Sequence, residues 1–474
     1  MESGTSGQKN SFLESFFKLK DNNTNVKTEI LAGVTTFITM AYIIFVNPSV
    51  LRIAGMNSAG VVGDAASKFN VGSDPIVSAV FVATCLAAAV GTFIMGFYAN
   101  LPFAQAPGMG LNAFFTYTVC LTLGFNWHQA LTAVLTSGIL FIIITVTSIR
   151  EKIVDAIPQN LKYAMSGGIG LFIALIGLKS GGIIVSNKAT LVGFGNFADP
   201  GTLLTIIGVL IIGILMARNV TGSILIGIIL TTLIGIPLKV TSLANLHIFS
   251  APPSLAPTFA AFDFSGLFSK GGTSVAGAIL SFVMVVITIC LVDLFDTIGT
   301  LVGTATKAGM VDENGKVLRL KKALICDAVA TTAGSFFGTS TINTYVESTS
   351  GVTAGGRTGL TAVTVGILFI LSLFFSGLVG VVPSQATAPA LIIVGALMMG
   401  VIRNIDFSDF TEALPCFFAI SLMAFSYSIA NGIAVAMIIY PIVKIATGRH
   451  KELSPIVYVL AILFVLRYLL LPFE

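Results

Sequence analysis

The sequence predicts an all-α polytopic membrane protein, and three observations lead to this fold class. Hydrophobic residues make up 55% of the 474 residues and charged residues only 10%, whereas a soluble domain carries about 25% charged residues. Stretches such as 203–216, 224–238 and 361–382 are apolar or small throughout and approach the roughly 20 residues that cross a bilayer. Lysine and arginine concentrate in every second connection between such stretches.

We predict fourteen spans from these stretches. The first span is expected to act as the insertion signal, because residues 1–28 lack the apolar core and cleavage site of a signal peptide. A last apolar stretch, 453–474, is either a fifteenth span or a helix at the membrane interface, and Arg467 within it favours the interface. The predicted spans are 29–50, 75–98, 102–121, 129–148, 161–180, 201–217, 221–238, 274–304, 322–338, 340–356, 359–382, 387–402, 410–428 and 431–447.

The charge distribution sets the predicted orientation. If the N-terminal tail, 1–28, is cytoplasmic, 18 lysines and arginines fall in cytoplasmic connections and 6 outside, with Arg467 unassigned. This is the bias that the positive-inside rule describes. The net charge of +4 therefore reflects membrane topology, and no nucleic-acid partner is expected.

The chain divides into two halves of seven spans around an external loop, 239–273. Halves with an odd number of spans insert in opposite orientations, so we predict an inverted repeat. The third and tenth spans are both interrupted by polar residues, glycine or proline, at 100–115 and 338–356. Interruptions at matching positions of two halves indicate a transporter's substrate site, because irregular backbone at membrane depth survives only inside protein or beside a cavity.

Each interrupted span is predicted to contain a short strand followed by a half-helix. In the third span "PFAQA" reads as extended, with Pro107 in the first turn of a short helix that carries Asn112. In the tenth span "TINTYV" is rich in β-branched and aromatic residues, and a half-helix is expected to begin near Glu347 and Ser348. Each half-helix then points its positive N-terminal end toward the membrane centre.

Four carboxylates lie inside predicted spans: Asp293, Asp296, Asp327 and Glu347. A carboxylate at the centre of a span costs about 2.5–3.5 kcal/mol on insertion scales. A structural hydrogen bond to a neighbouring helix is the alternative explanation for each, and it suits Asp293 and Asp327 better than the other two. One buried carboxylate can exchange a proton during transport while another accepts hydrogen bonds from a substrate rich in N–H groups, such as a nucleobase.

Four strings together resemble the nucleobase–cation symporters, the family of uracil, xanthine and uric acid permeases, and most closely its hypoxanthine–guanine–adenine branch. The resemblance extends over nearly the whole chain. The strings are "TEILAGVTTFITMAYIIFVNP" (28–48), "AQAPGMGLNAFF" (104–115), "LVDLFDTIGT" (291–300) and "TYVESTSGVTAGGRTGLTAV" (344–363).

The resemblance implies fourteen spans in two inverted repeats, divided into a core and a gate domain. The core would comprise 29–148 (spans 1–4) and 274–382 (spans 8–11), and the gate 161–238 (spans 5–7) and 387–447 (spans 12–14). Members of the family are proton symporters of the plasma membrane, commonly homodimers, that need no cofactor or metal besides the coupled proton. The core moves as an elevator against the gate, with the site between spans 1, 3, 8 and 10.

Carried over one residue at a time, the family's acidic positions of spans 8, 9 and 10 fall on Asp296, Asp327 and Glu347. The uracil and xanthine branches usually have glutamate where this chain has Asp296, which leaves the fit of the substrate there open. Asp327, linked in the family to proton coupling or to holding the core together, shares the candidate coupling role with Asp296 and Asp293. The remaining candidates for substrate contact are Tyr345, Asn112, Gln105, Ser348, Thr344, Thr36 and Met109.

The leading hypothesis is proton-coupled purine uptake, with hypoxanthine and guanine favoured and adenine as the alternative. A sulfate or bicarbonate carrier of similar fold is the rival, but the carboxylate of Glu347 would repel an anion. No enzyme is expected, because the three histidines lie near span ends or in loops and no metal-ligand spacing occurs. The five cysteines are expected to be small core residues.

Overall fold

The computed structural model describes residues 12–147, 156–243, 246–266, 275–311 and 317–470. The predicted topology also used basic residues that lie outside this part of the chain, namely Lys9, Arg150, Lys152, Lys270 and Lys316. The side chains of Lys307 and Arg467 are likewise outside it.

The first half of the chain forms nine helices and three strands in its described part. In chain order they are α1 (Phe12–Phe17), α2 (Val26–Met40), α3 (Ile43–Leu51), α4 (Pro75–Ile94), β1 (Gln105–Pro107), α5 (Met109–Ala113), α6 (Trp127–Val146), α7 (Gln159–Ser180), β2 (Ile184–Asn187), β3 (Leu191–Phe194), α8 (Pro200–Ala217) and α9 (Ser223–Gly235). Two π-helical segments, Met95–Ala99 and Phe114–Thr122, extend α4 and α5.

The second half follows a similar plan, with one strand among its helices. Its elements are α10 (Val275–Ala308), α11 (Leu320–Phe337), β4 (Ile342–Thr344), α12 (Ser348–Thr353), α13 (Gly359–Ser372), α14 (Ser376–Val379), α15 (Ser384–Met399), α16 (Phe410–Phe425), α17 (Ile429–Ala446) and α18 (Pro455–Leu470).

The predicted spans correspond to these helices within a few residues. Within the described part, nine helices are long and apolar enough to cross a membrane, and shorter apolar helices occur at 223–235, 410–425 and 455–466. The mostly helical, multi-pass membrane architecture predicted from composition is therefore confirmed. The interrupted third and tenth spans are absent from this set, because a strand and a half-helix replace the continuous helix there.

The helices pack into two groups. In the first group α13 packs on α2 and α4, and α11 packs on α4 and α6. In the second group α7 packs on α15 and α16, α16 packs on α17, and α8 packs on α9 and α15. The two groups thus combine helices from both halves of the chain.

The two short strands of the interrupted spans pair with each other inside the first group. β1 and β4 are antiparallel, with Gln105 opposite Thr344 and Pro107 opposite Ile342. Both strands are fully buried. Pairing satisfies part of the backbone that a broken helix leaves without intrahelical partners at membrane depth.

A threonine covers each outer edge of this ribbon. The Gln105 N–H donates to Thr92 Oγ1 at 2.9 Å, and the same hydroxyl donates to the Gln105 carbonyl at 3.0 Å. Thr331 does the same for Ile342, with both distances 3.1 Å. Thr92 lies on α4, which is the second predicted span. Thr331 lies on α11, which is the ninth. Each edge of the ribbon is thus covered by a threonine from the span that precedes the interrupted one.

The structure contains elements that the sequence analysis did not predict. A hairpin of β2 and β3 occupies the connection between α7 and α8. The N-terminal tail contains α1, whose Phe17 packs with Leu19 against Leu360 of α13. Pro107, expected in the first turn of a helix, is the last residue of β1, and α5 begins two residues later.

The last apolar stretch forms α18, which runs antiparallel along α17. Near the start of α18, Glu452 binds Lys444 at the end of α17, with 2.8 Å between Oε2 and Nζ. Near the other end, the Tyr468 hydroxyl donates to Asn431 Oδ1 at the start of α17, at 3.3 Å. α18 thus accompanies α17 along its length. The choice between a fifteenth span and an interfacial helix stays a prediction.

An ion network joins the ends of α16, α17 and α18. Lys444, whose side chain is fully buried, lies 2.7 Å from Glu412 Oε1, and Glu452 also binds Arg449, with 2.7 Å between Oε1 and Nε. Arg449 donates to Asp409 at 2.5 Å and holds the pKa of Asp409 below its usual range. A buried cation with two carboxylate partners fixes the arrangement of the three helices.

Thr331→Val tests the edge of the ribbon. The substitution keeps the shape but leaves the N–H and C=O of Ile342 without the hydroxyl, and each buried unpaired group costs about 1–3 kcal/mol. We expect a lower melting temperature of the purified protein, and Thr92→Val should have the same effect. Thr231→Val is the matched control, because that buried hydroxyl only donates to Gly227 of its own helix. Equal stability of Thr331→Val and the control would contradict the role of the hydroxyl.

Candidate functional site

The two half-helices begin at opposite ends of the ribbon. α5 follows β1 after Gly108, and α12 follows β4 with Glu347 as its N-terminal cap residue. The position of Glu347 and Ser348 at the start of the second half-helix, predicted from the sequence, is therefore confirmed. Because the strands are antiparallel, the positive ends of both helices lie beside the ribbon.

Each half-helix also binds the strand of the other half. Ser348 of α12 accepts a hydrogen bond from the Ala104 N–H, just before β1, at 3.0 Å. Asn112 of α5 accepts one from the Ser340 hydroxyl, just before β4. The ribbon extends through the Tyr345 N–H, which donates to the Ala104 carbonyl at 3.0 Å. The two interrupted spans thus form one interlocked unit.

Span 1 contributes a tyrosine to this unit. α2 and α3 are separated by a turn, and Tyr42 lies in that turn. Its hydroxyl donates to Glu347 Oε1 at 2.7 Å. The bond orients the carboxylate of Glu347 toward span 1.

Asp296 lies on α10 and faces the ribbon. Asn343, the central residue of β4, donates from Nδ2 to Asp296 Oδ2 at 3.1 Å. Asp296 and Glu347 are both partly exposed. These two carboxylates are therefore accessible beside the ribbon and the start of α12.

Asp293 and Asp327 differ from them in being fully buried. Both oxygens of Asp327 accept from the Thr297 hydroxyl at 3.0 Å, which joins α11 to α10. Thr297 follows Asp296 directly in the chain, so the position of Asp296 depends on the same contact. Asp327 is placed to hold the two helices together, one of the two roles considered for it.

Most other candidate residues of spans 3 and 10 hold the ribbon itself. The Tyr345 hydroxyl donates to the Pro107 carbonyl at 2.5 Å. Gln105 Nε2 donates to Thr344 Oγ1 at 3.4 Å, across the strand pair. Asn112 Nδ2 lies 3.7 Å from Met109 Sδ within α5. All five side chains are buried.

Thr36 lies at the contact of α2 with α12. It is fully buried on α2 and faces Gly351 of α12, where a Cβ would lie 2.0 Å from Thr36 Oγ1. The glycine therefore permits α2 and α12 to approach closely. Thr36 contributes to this helix contact.

Sequence reasoning missed four residues that bind the site together: Tyr42, Thr92, Thr331 and Asn343. Tyr42 carries the strongest sequence signal, because a tyrosine in an apolar span needs a partner for its hydroxyl. The threonines carry none, since a threonine in a span usually donates to its own helix. Among the described residues, no group of three histidine, cysteine, aspartate or glutamate side chains is arranged to hold a metal ion.

Comparison with known proteins identifies the family. The family model Xan_ur_permease, described as "Permease family", matches residues 27–435. The chain belongs to this family of nucleobase–cation symporters. The resemblance found in the four sequence strings is thereby confirmed, as is the prediction of a transporter and not an enzyme.

Three relatives align over nearly the full chain. A putative permease of Methanocaldococcus jannaschii is 50% identical, covering 97% of this chain and 99% of the relative. Adenine permease AdeP of Escherichia coli is 44% identical (98% and 97%). Guanine/hypoxanthine permease PbuO of Bacillus subtilis is 43% identical (96% and 100%).

The fold is similar to that of a solved structure outside this set of relatives. The transmembrane domain of the cyanobacterial bicarbonate transporter BicA has a TM-score of 0.59 at 16% identity, covering 85% of this chain and 97% of that domain. This likeness shows the fold alone.

Tyr42→Phe tests the contact of span 1 with the accessible carboxylate. Loss of the hydroxyl removes the hydrogen bond that orients Glu347, and a hydrogen bond to a charged group is worth about 1.5–3 kcal/mol. We expect KM for uptake to rise about tenfold or more, with normal amounts of protein in the membrane. Uptake of adenine, guanine and hypoxanthine, the compounds named for the relatives, provides the measurement.

Tyr163→Phe serves as the control for this substitution. Tyr163 lies on α7 in the second helix group, apart from the ribbon. Loss of the Tyr163 hydroxyl should leave KM for uptake unchanged. A KM for Tyr42→Phe equal to that of the control would show that the contact with Glu347 plays no part in binding.

Proposed function

We propose that the protein is a proton-coupled symporter that takes up purine nucleobases across the plasma membrane. One observation carries the proposal: two accessible carboxylates, Glu347 and Asp296, lie beside a buried strand pair in a chain of the nucleobase–cation symporter family. Relatives named as purine permeases, which align over nearly the whole chain, support the substrate class. No cofactor besides the coupled proton is part of the proposal.

Glu347 is the proposed anchor of the base. Its Oε1 accepts a hydrogen bond from Tyr42, so the carboxylate is oriented as an acceptor. Guanine and hypoxanthine present an N1–H donor next to a 6-oxo group, which suits an ionised carboxylate. Adenine presents the reverse pattern, an acceptor at N1, and suits a protonated one.

Hypoxanthine and guanine are therefore the favoured substrates, and an adenine preference is the alternative. The relatives support neither over the other, because the adenine permease and the guanine/hypoxanthine permease are 44% and 43% identical to this chain. The choice rests on the charge state of Glu347.

Asp296 is the proposed carrier of the coupled proton, with Asp327 and Asp293 as the other candidates. It binds Asn343 at the centre of β4, so its charge and the geometry of the ribbon are linked. Protonation would remove one carboxylate charge from the site during passage through the low-dielectric part of the membrane. Asp296 is partly exposed, whereas Asp327 is fully buried and accepts a hydrogen bond from Thr297.

The two helix groups are proposed to be the moving parts of an elevator. The first group, which holds the ribbon, corresponds to the core of a fourteen-span inverted repeat, and the second group corresponds to the gate. A cleft of about 260 Å³ lies between them, lined by Val46 and Val50 of α3 and by Ala388 and Leu391 of α15. The cytoplasmic N-terminus, supported by the charge distribution, and a homodimeric assembly complete the proposal.

An anion carrier of the same fold is the second candidate. The likeness to the fold of a bicarbonate transporter raises it. The partly exposed Glu347 and Asp296 oppose it, because two carboxylates beside the helix N-termini would repel an anion. Competition with sulfate or bicarbonate during purine uptake separates the two candidates.

The deciding experiment is uptake in a strain that lacks its own nucleobase permeases. Labelled hypoxanthine, guanine, adenine, xanthine and uracil are offered with and without a protonophore. We expect accumulation of hypoxanthine and guanine that the protonophore abolishes. Transport of uracil alone would contradict the purine assignment, and transport of xanthine alone would contradict the preference for hypoxanthine and guanine. Protonophore-insensitive accumulation would contradict proton coupling.

Glu347→Gln removes the proposed acceptor while retaining size. We expect uptake affinity to fall about ten- to hundredfold, since a hydrogen bond to a charged group is worth about 1.5–3 kcal/mol. Glu14→Gln, in α1 outside the spans, is the matched control. A KM for Glu347→Gln within the range of the control would show that the base binds elsewhere.

Asp296→Asn tests the second carboxylate. We expect the variant to lose accumulation against a gradient, because asparagine cannot exchange a proton. Internal pH and base accumulation are measured together in vesicles, alongside Asp327→Asn and Asp293→Asn. Unchanged proton-driven accumulation in Asp296→Asn, with loss in one of the other two, would move the coupled proton to that residue.

A further inference from the structure

The N-terminal segment Phe12–Asn22 is fixed on the first helix group. Phe17 and Leu19 are buried against Leu360 of α13. The Phe17 carbonyl accepts a hydrogen bond from Asn100 Nδ2 at 3.1 Å, and Asn100 Oδ1 accepts from the Gly359 N–H at 2.7 Å. The segment therefore has a defined place at one end of α4 and α13.

The opposite face of the segment carries a row of exposed phenylalanines. Phe12, Phe16 and Phe97 are 79%, 47% and 50% exposed. Their ring centroids are 5.8 Å apart from Phe12 to Phe16 and 6.1 Å from Phe16 to Phe97. Phe93, on α4 itself, lies 6.1 Å from Phe97, so the row continues from the side of a span onto α1.

This continuity indicates what covers the row. Spanning helices on the outside of the protein face lipid. A row of aromatic rings that extends beyond the end of such a helix lies at the level of the headgroups. Contiguous exposed aromatic surface of this kind marks an interaction site. A short apolar segment docked in this way lies in the interface plane.

Cations surround the same row. Lys18 and Lys20 are exposed on the segment, and Lys322 Nζ lies 5.4 Å from the centroid of the Tyr98 ring. Arg319 donates to the carbonyls of Ala99 and Asn100 at 3.2 and 2.9 Å. Exposed Lys27 lies at the start of α2, just after the segment, against two carboxylates on the segment itself, Glu14 and Asp21. The excess of positive charge complements an acidic lipid surface.

We propose that the segment Phe12–Asn22 is an interfacial anchor that binds the acidic headgroups of one membrane leaflet. The phenylalanine row enters the boundary between headgroups and acyl chains, and Lys18 and Lys20 bind the acidic headgroups. The anchor belongs to the helix group that carries the ribbon, so that group makes the contact with the leaflet. The inference does not depend on which substrate is carried.

The test uses Phe16→Cys labelled with an environment-sensitive fluorophore. The five native cysteines, all in the described part of the chain, are buried, so labelling is selective. The protein is placed in vesicles of phosphatidylcholine, alone or mixed with phosphatidylglycerol, containing lipids brominated near the headgroup. We expect quenching that grows with the acidic lipid content, and retained uptake shows that the labelled protein is folded.

Lys18→Gln with Lys20→Gln should shift the acidic lipid content needed for half-maximal quenching upward. A lysine near an acidic surface contributes about fivefold in affinity. Two labelled positions provide the reference signals. Leu191→Cys, 82% exposed on the β2–β3 hairpin, represents water, and Leu210→Cys, 58% exposed on α8, represents acyl chains.

Three results would overturn the proposal. Emission from position 16 that matches position 191 would place the segment in water. Quenching that is equal in both vesicle types and insensitive to the lysine substitutions would leave no role for acidic headgroups. A fluorophore at position 16 that is shielded from both lipid and aqueous quenchers, to a degree that depends on protein concentration, would show that a second copy of the chain covers the row.

Discussion

The structure depends on satisfying main-chain hydrogen bonds where two spans are broken inside the membrane. A continuous helix supplies these bonds within itself, whereas β1 and β4 obtain them from each other and from threonine hydroxyls on α4 and α11. Only a strand pair with protected edges makes the interruption tolerable in hydrocarbon. The positions of both half-helices, and of the carboxylate at the start of one of them, follow from this pairing.

The four carboxylates of the spans fall into two classes by exposure. Glu347 and Asp296 are accessible, and each receives one hydrogen bond from a side chain of another span. Asp293 and Asp327 are fully buried. A group that binds or releases a ligand needs access, while a group that joins helices needs fixed partners. The two accessible carboxylates thus lie beside the ribbon, while Asp327 joins α10 and α11.

Composition and hydropathy predicted the membrane class and nearly every span, because burial in lipid demands long apolar segments. The interruption at Glu347 was also predictable, since a carboxylate with glycine and serine neighbours breaks an apolar pattern. The partners Tyr42 and Asn343 were not, because their contacts join residues about 300 and 50 positions away. The packing of α18 along α17 was not predictable either, because it depends on contacts such as that of Tyr468 with Asn431, 37 positions away.

The C-terminal helix has a consequence for the lipid around the protein. α18 packs on α17 of the second group and also touches α10 of the first. It buries Val457 and Phe464 inward while Val459, Ile462 and Leu469 face outward. A helix with one exposed apolar side and one side covered by protein separates acyl chains from the contacts that it makes with α10 and α17.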